Sequence, residues 1–311
     1  MNLIEKEKLK ERLLFTDGDL HVYAGITKKE FPELYDEICA VSKREFKIED
    51  AYDRFDETYK YLVCISESEI EGELPLEKKC EIVSFYRYIL CKDAVTQDGI
   101  DFNLSTNKFY DYSLEFKKLL PTTLELGRSV VNHSSQYAKA GLEIIWKGLG
   151  ALIDYYSKHE NINFLFGEVS LQKSRYDIEN LFENKPLMSI ISCFIVNFYD
   201  DDLITPKEEV HGFSKDELFH FANEIGFEGK SFSADSRKLK DILRKSELPK
   251  PQLFFHYANL VNGKGLTMFL PVNNRLLNCW ELGILVKISC IDEVHLKHFK
   301  PKDGYREEAF A

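Results

Sequence analysis

The segment LELGRSVVNHSSQYAKAGLEIIWKGLGALIDYY, Leu124–Tyr156, carries the most informative pattern of this 311-residue chain. It predicts a strand over residues 122–132, a short polar loop, and an amphipathic helix over residues 140–159. The apolar residues of that helix fall on one face: Leu142, Ile145, Trp146, Leu149, Leu152, Ile153 and Tyr156. A strand that turns directly into a helix suits an anion, because the first backbone N–H groups of a helix have no partner inside it.

The flanking sequence predicts a sheet with helices around it. Further strands are predicted, from alternation or from β-branched and aromatic composition, over residues 20–26, 59–66, 80–91, 163–171, 248–272 and 279–292. The segments 59–66 and 80–91 are expected to form a hairpin with a charged tip. A helical pattern covers 28–46, and the helical pattern from 174 to 245 predicts an inserted subdomain. The strand–helix–strand unit over 122–171 favours local parallel pairing.

Composition and charge exclude several kinds of protein. The chain is 44% hydrophobic and has a formal net charge of −11, whereas domains that bind nucleic acids are usually basic. Its seven cysteines include no Cys-x-x-Cys pair and most lie in apolar runs, which indicates reduced residues of a cytoplasmic protein. His295 and His298 form a close pair, but no carboxylate or cysteine cluster supports it, so no metal site is predicted.

The N-terminal segment bears on the relation to membranes. Residues 1–15 are charged throughout and have no apolar core, so we do not expect a secretory signal. No apolar run in the chain approaches the length of a membrane span. The mixed charges favour a helix that lies on its own domain, with a helix lying on the membrane surface as the alternative.

Charged residues stand inside or beside apolar segments, where a charge is costly unless it is paired or functional. They are Arg44, Asp53, Asp56, Arg87, Glu125 and Arg128. Glu125 and Arg128 lie three residues apart, and so on opposite faces of a regular strand, unless Gly127 marks a bulge that turns both inward. One interpretation is a buried ion-pair network of the aspartates with the arginines, and the other is a functional site.

The order of elements and these residues resemble the GNAT acyltransferases. DRFDETYKYLV, then YRYI, then LLPTTLELGRSVV is similar to the acyl-homoserine-lactone synthases, which carry an Asp-x-x-Asp pair, a strand arginine and a Glu-x-x-Arg pair in this order. An Arg-x-Phe on the first helix precedes them, here Arg44 and Phe46. The segment from ELGRSVV to NFLFGEVSL and the terminal CWELGILVKI more closely resemble the haemolysin-like relatives, which include the N-acyltransferases of ornithine- and glycine-lipid synthesis. The resemblance covers residues 20–175 and 249–291.

The resemblance implies an α/β (α+β) GNAT fold, in which helices flank a mixed central sheet and a helical insertion interrupts it. It divides the chain into an acyltransferase core over residues 1–186, the insertion over 187–248, and C-terminal strands over 249–311 that complete the sheet. The insertion itself matches no segment of the family.

The resemblance also implies roles for individual residues. Glu125 is expected to take the proton of an amine or to bind the substrate, with Arg128 beside it, and Ser170 or Tyr176 to protonate the leaving thiolate. Substrate binding is expected from Arg44, Phe46, Asp53, Asp56 and Arg87. The structural alternatives stay open: the aspartates could cap the next strand and pair with an arginine, and Tyr176 could be a plain packing residue.

The loop after the strand occupies the position of the family's pyrophosphate loop, with the pattern (Q/R)-x-x-G-x-(G/A). The residues expected to hold the acyl donor are Val130, Val131, Gln136, Lys139, Ala140 and Gly141. Gln136 and Gly141 match the pattern, but Lys139 stands in place of its inner glycine. Converging amides with one lysine suit the single phosphate of a phosphopantetheine arm better than the diphosphate of coenzyme A. The alternative is a plain strand-to-helix turn that binds nothing.

These features predict an N-acyltransferase that moves a fatty acyl group from an acyl carrier protein to the amine of a small amino acid. The donor would be acyl-phosphopantetheine or acyl coenzyme A, and no tightly bound cofactor is expected. Because carrier proteins are acidic, docking would need basic residues, with Lys117, Lys118, Lys139 and Lys147 as candidates. The alternatives are a coenzyme-A-dependent N-acetyltransferase and a non-catalytic protein that binds an acyl group. We expect a cytoplasmic protein, with peripheral association at the inner face of the membrane as an alternative.

Overall fold

The computed structural model describes residues 3–69, 78–97, 99, 101–176, 181–182, 185–198, 200, 202–208, 213–248, 250–261 and 263–310. The helices are α1 (Leu3–Glu11), α2 (Pro32–Phe46), α3 (Leu114–Leu119), α4 (Ala138–His159), α5 (Lys173–Tyr176), α6 (Leu187–Ile195), α7 (Lys215–Ile225), α8 (Phe232–Lys245), α9 (Gln252–Leu260) and α10 (Glu293–His298). The strands are β1 (Leu13–Asp17), β2 (Leu20–Ile26), β3 (Lys60–Glu69), β4 (Lys78–Leu90), β5 (Tyr110–Tyr112), β6 (Thr123–Val131), β7 (Phe164–Gln172), β8 (Leu181–Phe182), β9 (Lys185–Pro186), β10 (Ile204–Pro206), β11 (Leu266–Met268), β12 (Val272–Asn274) and β13 (Cys279–Lys287).

The chain forms two compact units. The first unit comprises Met1–Ala94, Leu126–Ile162 and Glu293–Ala311, and the second comprises Val95–Glu125 and Asn163–Asp292. The boundary therefore falls inside β6, directly after Glu125. The predicted mixed α/β class, with a large mixed sheet flanked by helices, is confirmed. The division at residues 186 and 248 into core, insertion and C-terminal strands stays a prediction.

In the first unit a hairpin-rich sheet lies between two helices. Strands β1 to β4 pair antiparallel in chain order, and β6 lies beside β4. The predicted hairpin is the β3–β4 pair, whose tip over residues 70–77 lies outside the described part of the chain. Side chains alternate between the faces of a strand, so Tyr23 and Val63 pack with α2, whereas Val22 and Leu62 lie under α4.

The N-terminal helix packs on its own unit, as its mixed charges suggest. Leu9 is buried in the cluster formed by α2 and the sheet. The first turn of α2 has no side-chain cap of its own, and Glu5 Oε1 accepts a hydrogen bond from Glu33 N at 3.0 Å. The carboxylate thereby satisfies one of the amides that a helix start leaves unpaired. Among the described helices, none has both the length and the apolar composition that crossing a membrane requires.

The second unit combines strands with the described helices of the predicted insertion, which are α6, α7 and α8. Strand β13 pairs antiparallel with β7, β11 and β12, and a second small sheet joins β5 to β10. Its core is aromatic. The ring of Phe194 on α6 contacts Phe198, Phe227, Phe232 and Phe254 with centroid distances of 5.2 to 6.0 Å. Rings from α6, α8 and α9 thus share one core.

Two stretches differ from their predicted secondary structure. The strand predicted over 248–272 was wrong for its first half, because Gln252–Leu260 is α9. Pro251 stands at the N-cap, and Phe254, Phe255 and Ala258 are buried at helical spacing, although aromatic residues are also common in strands. The helical pattern predicted from 174 onward is interrupted by the short antiparallel pair β8–β9 and by β10.

Close contact of α4 with the C-terminal segment of the first unit depends on Gly150. A Cβ atom there would overlap the carbonyl oxygen of Phe299 and lie 2.9 Å from its carbonyl carbon. We therefore expect Gly150→Ala to lower the free energy of unfolding by about 1–3 kcal/mol, despite the better helix propensity of alanine. Thermal unfolding followed by circular dichroism measures the change.

Gly148→Ala is the matched control for this substitution. Its Cβ would lie 2.9 Å from Leu62 Cδ2 and 3.0 Å from Val22 Cγ1, which are ends of side chains that can shift. The loss of stability should therefore be smaller at position 148. Equal or greater stability of Gly150→Ala relative to the wild type would contradict the close approach of α4 to Phe299.

Candidate functional site

A buried carboxylate, Asp56, stands at the centre of a polar cluster in the first unit. Its Oδ1 accepts hydrogen bonds from Tyr61 Oη at 2.7 Å and from Arg87 Nη1 at 2.9 Å. Its Oδ2 accepts from Tyr35 Oη at 2.7 Å and from Arg128 Nη1 at 3.1 Å. Asp56 is fully buried, and its four side-chain donors come from α2, β3, β4 and β6.

Asp53 closes the same cluster from the start of a 3₁₀ helix, Arg54–Glu57. Its backbone N–H donates to Asp56 Oδ2 at 3.0 Å, and the two aspartates form a capping box. Asp53 Oδ2 lies 3.6 Å from Arg87 Nη1 and 3.7 Å from Arg128 Nη2. Two aspartates and two arginines therefore form an ion-pair network, which is one of the two interpretations of these charges from the sequence.

The electrostatics of the cluster keep Asp56 ionised. Burial alone would raise the pKa of Asp56, but Arg128, Arg87 and the two tyrosine hydroxyls outweigh it, so the pKa lies below its ordinary value. A carboxylate offers about four lone-pair sites, and five donors already point at this one. Asp56 therefore has no acceptor capacity left for a ligand, and it positions the two arginines.

The backbone of β6 bends at Arg128. Its φ of 46° lies in the left-handed region, which costs a non-glycine residue about 1–3 kcal/mol. The bend expected at Gly127 therefore falls one residue later, since Gly127 is not among the described residues with positive φ. The side chain of Arg128, 18% exposed, is held by its ion pair with Asp56 at 3.1 Å.

Arg44 and Phe46 do not join the aspartates. Arg44 Nη2 donates to Asn132 Oδ1 at 2.7 Å, and its Nε lies 3.5 Å from Glu45 Oε1. Asn132 in turn donates to Ile82 O at 2.7 Å, which ties the end of β6 to β4. Phe46 is partly buried against the core of α2 and the sheet. Arg44 therefore stabilises the start of the loop that follows β6, and Phe46 contributes to the core.

Glu125 is fully buried in the second unit and is held by neutral donors. Its Oε1 accepts from Ser105 Oγ at 3.1 Å, Thr106 N at 3.0 Å and Thr106 Oγ1 at 2.8 Å. Both donors begin the 3₁₀ helix Ser105–Lys108, where the backbone amides favour a negative charge. Three bonds to one oxygen fix the orientation of this carboxylate.

Ser170 lies on β7 directly opposite Glu281 of β13, and its hydroxyl donates to Glu281 Oε2 at 2.7 Å. Glu281 is buried, and its Oε1 accepts from Asn274 Nδ2 at 2.8 Å and from Cys279 Sγ at 3.2 Å. Burial and the carboxylate of Glu281 raise the pKa of the Cys279 thiol. Tyr176 ends α5, and its side chain lies outside the described part of the chain.

The loop before α4 presents two unpaired amides. Within residues 132–141, all of them described, every backbone N–H donates to a protein acceptor except those of Gln136 and Lys139. Both side chains are exposed, and the N-cap residue Tyr137 makes no side-chain capping bond. In the sequence, Ala140 follows Lys139 and precedes Gly141, the first buried residue of the helix. The helix start therefore has donors for an anion beside a lysine ammonium group.

The other predicted donor-binding residues hold α4 on the sheet. A Cβ at Gly141 would lie 3.2 Å from Val131 Cγ1 and 3.2 Å from Val83 Cγ1, and Ser84 Oγ donates to Gly141 O at 2.8 Å. Val130 points to the opposite face and is part of the core around α2. The contacts of these residues are packing contacts, and their contact with an acyl donor stays a prediction.

Most of the lysines predicted to meet a carrier protein already have carboxylate partners. Ion pairs join Lys147 to Asp17 and Glu143, Lys117 to Asp101, and Lys118 to Glu115. Lys139 is exposed and has no carboxylate within 4 Å among the residues that the structure describes. The paired lysines contribute little net positive potential to a docking surface.

Several residues of these clusters are not predicted as site residues by the sequence patterns. They are Tyr35, Tyr61, Ser105, Thr106 and Glu281. The tyrosines carry a weak signal, because a buried phenol needs a partner for its hydroxyl. Adjacent serine and threonine before a polar turn are typical of a short helix start, which is the signal for Ser105 and Thr106.

The described residues show no metal-binding arrangement. Within that part of the chain, no group of three or more His, Cys, Asp or Glu side chains could hold a metal ion. The rings of His295 and His298 instead lie beside Phe299, with centroid distances of 6.2 and 5.2 Å. None of the seven cysteines, all of which lie in the described part of the chain, forms a disulfide bond, and Cys80 is exposed.

Comparison with known proteins finds one family model and two relatives that are similar to parts or most of this chain. Residues 34–147 match the family model described as the acetyltransferase (GNAT) domain. The chain is 27% identical over 262 residues to a glycine N(alpha)-acyltransferase of Bacteroides thetaiotaomicron, covering 81% of this chain and 70% of that protein. A glycine N(alpha)-acyltransferase of Phocaeicola vulgatus is 27% identical over 327 aligned positions, covering 96% of this chain and 91% of that protein. No solved structure matches the chain significantly.

These matches and the mixed α/β fold support a GNAT acyltransferase. The protein is accordingly an enzyme of the acyltransferase class. The finer relation to the haemolysin-like group and to the acyl-homoserine-lactone synthases stays a prediction.

Removal of the central charge tests the cluster of the first unit. Asp56→Asn should lower the free energy of unfolding at pH 7 by about 3–5 kcal/mol, because the buried Arg87 and the half-buried Arg128 lose their shared anion. The folded-state pKa of Asp56 is depressed, so its stabilisation is present above the ordinary carboxyl pKa of about 4 and is lost as the pH falls through the depressed value. Unfolding midpoints of wild type and variant should differ most at neutral pH and begin to converge as the pH falls below about 4.

Asp36→Asn, an exposed change on α2, is the matched control and should shift the midpoint little. If Asp56→Asn shifted the midpoint at pH 7 no more than this control does, the cluster would not hold the first unit together.

Proposed function

We propose that this protein is an N-acyltransferase that moves a fatty acyl group from an acyl carrier protein to the amine of glycine or a similar small amino acid. The observation that carries the proposal is its similarity to two glycine N(alpha)-acyltransferases, one of them over 96% of this chain. The product would be an N-acyl amino acid of the lyso-aminolipid type. Both relatives bear the names of enzymes, which leaves the non-catalytic alternative without support.

The proposed reaction needs a neutral amine, a base and a proton donor. The amine lone pair attacks the thioester carbonyl carbon, a C–N bond forms, and the C–S bond breaks as the thiolate leaves. One proton moves from the amine to a base, and the thiolate gains one. We assign the base, or the carboxylate that orients the amine, to Glu125, because Ser105 and Thr106 hold its Oε1 with neutral donors. Ser170 and Tyr176 are proposed as proton donors to the thiolate.

For the carboxylate of an amino acid, we assign Arg128 as the binding group. Its side chain is 18% exposed, whereas that of Arg87 is 4% exposed, so Arg128 is the more accessible guanidinium of the cluster. Asp53, at 13% exposure, is the accessible acid of the same cluster. Arginine binds carboxylates through charge-assisted hydrogen bonds, and the buried Asp56 keeps its guanidinium oriented.

For the donor, we assign the loop before α4. The amides of Gln136 and Lys139 and the lysine side chain suit one phosphate, which is what a phosphopantetheine arm presents. We propose no tightly bound cofactor. The proposed product carries a long acyl chain, so we place the reaction in the cytoplasm, at the inner face of the membrane into which that product would partition.

Acetyl transfer from coenzyme A is the second candidate, because the matched family model is described as an acetyltransferase domain. GNAT acyltransferases use either acyl coenzyme A or acyl carrier protein as donor. The two candidates differ in the length of the acyl group and in the carrier.

The decisive experiment separates the two donors. The purified protein is incubated with palmitoyl carrier protein, palmitoyl coenzyme A or acetyl coenzyme A and a panel of amino acids, and N-acyl products are identified by mass spectrometry. We expect N-palmitoylglycine from the carrier-protein donor. Turnover of acetyl coenzyme A without any long-chain product would establish the second candidate instead.

Glu125→Gln tests the assigned carboxylate. The amide oxygen of glutamine can still accept from Ser105 and Thr106, so the fold should persist while the base is lost. We expect kcat to fall by about 10²–10⁴-fold, with an unchanged unfolding midpoint. Steady-state product formation and thermal unfolding are measured on the same preparation.

The matched control is Glu143→Gln, which removes a carboxylate of α4 that pairs with Lys147 at 3.4 Å. Its rate should stay near that of the wild type. A wild-type rate for Glu125→Gln would remove Glu125 from the mechanism.

A further inference from the structure

Positive charge is concentrated on α8 and the segment that follows it. Residues 231–250 carry Arg237, Lys238, Lys240, Arg244, Lys245 and Lys250 against Asp235, Asp241 and Glu247. The chain as a whole has a formal net charge of −11, so this segment is basic against the trend of the protein. Arg237, Lys245 and Lys250 are exposed, which places their charges in solvent.

Most of these cations lack a carboxylate partner. Arg244 pairs with Asp241 at 3.0 Å, and Asp235 is buried where it accepts from backbone amides at the start of α8. In the described part of the chain, no carboxylate lies within 4 Å of Arg237, Lys245 or Lys250. This distinguishes α8 from the surfaces around Lys147, Lys117 and Lys118, whose charges are paired.

Lys240 of α8 shares an aromatic ring with Lys250 of the following segment. Lys240 Nζ and Lys250 Nζ lie 4.9 and 5.0 Å from the ring centroid of Phe255, so one aromatic ring supports both. Burial, and then the charges of Lys250 and Arg237, lower the pKa of Lys240. Like charges held together without anions produce a local positive potential that an acidic partner can relieve.

The apolar side of this surface decides the kind of partner. On α8, Phe232, Leu239, Ile242 and Leu243 are buried within the second unit, and the ring of Phe255 is fully buried. Among the described residues, the exposed large hydrophobic side chains are Tyr52, Val95, Leu114, Leu276 and Val294, and none lies on α8. A helix that lies in a membrane inserts exposed apolar residues, and a single-strand nucleic-acid site presents exposed aromatic rings. The surface of α8 has exposed charges but no exposed large hydrophobic side chain among its described residues, and this combination fits an acidic protein as the partner.

We infer that α8 together with Lys250 is the docking surface for the acidic carrier protein that presents the acyl thioester. This inference rests on the proposed function and replaces Lys117, Lys118 and Lys147 as the docking residues. An enzyme of net negative charge repels an acidic carrier at long range, so productive encounter needs a surface where the sign is reversed. The unpaired cations of α8 make the local electrostatic potential positive.

Charge reversal tests the surface. The triple variant Arg237→Glu, Lys245→Glu, Lys250→Glu changes exposed positions and leaves Lys240 on the Phe255 ring. We expect kcat/KM for palmitoyl carrier protein to fall by at least about tenfold, and the dissociation constant from fluorescence anisotropy to rise similarly. The rate with palmitoyl coenzyme A, which has no carrier protein, should be unchanged. Raising the salt concentration should weaken carrier binding in the wild type and have little effect in the variant.

The matched control carries the same change of charge elsewhere: Lys29→Glu, Lys264→Glu, Lys302→Glu, all exposed positions. An equal loss in the control would mean that only total charge matters, and would overturn the inference. Transfer by the triple variant at the wild-type rate would do the same. Wild-type binding without transfer would reject the proposed function but support the docking surface, and neither binding nor transfer would reject both. Loss of binding to vesicles of anionic phospholipid, with unchanged carrier kinetics, would reassign α8 to the membrane.

Discussion

The buried charge of Asp56 is the constraint on which the first unit depends. A carboxylate with no exposure is tolerated only when donors replace its water, and here α2, β3, β4 and β6 each supply one. The arginines inside the strands are therefore required by the same charge that they neutralise. The left-handed backbone of Arg128 belongs to this arrangement, because its guanidinium is held by Asp56 at 3.1 Å.

Asp56 of the Asp-x-x-Asp pair and Glu125 of the Glu-x-x-Arg pair are both fully buried, but their surroundings differ. Asp56 is saturated by two arginines, two phenols and an amide, which suits a group that positions others. Glu125 receives an amide and two hydroxyls on one oxygen, without a guanidinium among these donors. The two carboxylates therefore differ in their contacts: Asp56 orients two arginines, whereas Ser105 and Thr106 orient Glu125.

Electrostatic context also separates residues that composition treats alike. Lys147 and Lys250 have the same intrinsic charge, but Lys147 pairs with Asp17 at 2.9 Å, whereas Lys250 shares the Phe255 ring with Lys240. Only the second kind of lysine adds to the potential that a partner meets, since a paired charge is largely cancelled at a distance. The basic surface of an acidic protein is therefore a property of its packing.

The amino-acid sequence is sufficient to predict the strand, loop and helix of residues 122–159, the β3–β4 hairpin and the unusual charges within them, because periodicity and local composition are short-range properties. It misassigned α9, whose aromatic residues suit a strand equally well until burial selects one face. Three features follow from long-range packing instead. Ser105 and Thr106 hold Glu125 from 20 and 19 residues away, Arg44 contacts Asn132 and not the aspartates, and the bend of β6 falls at Arg128. Each of these depends on which side chains the fold brings together, and spacing along the chain carries no record of that.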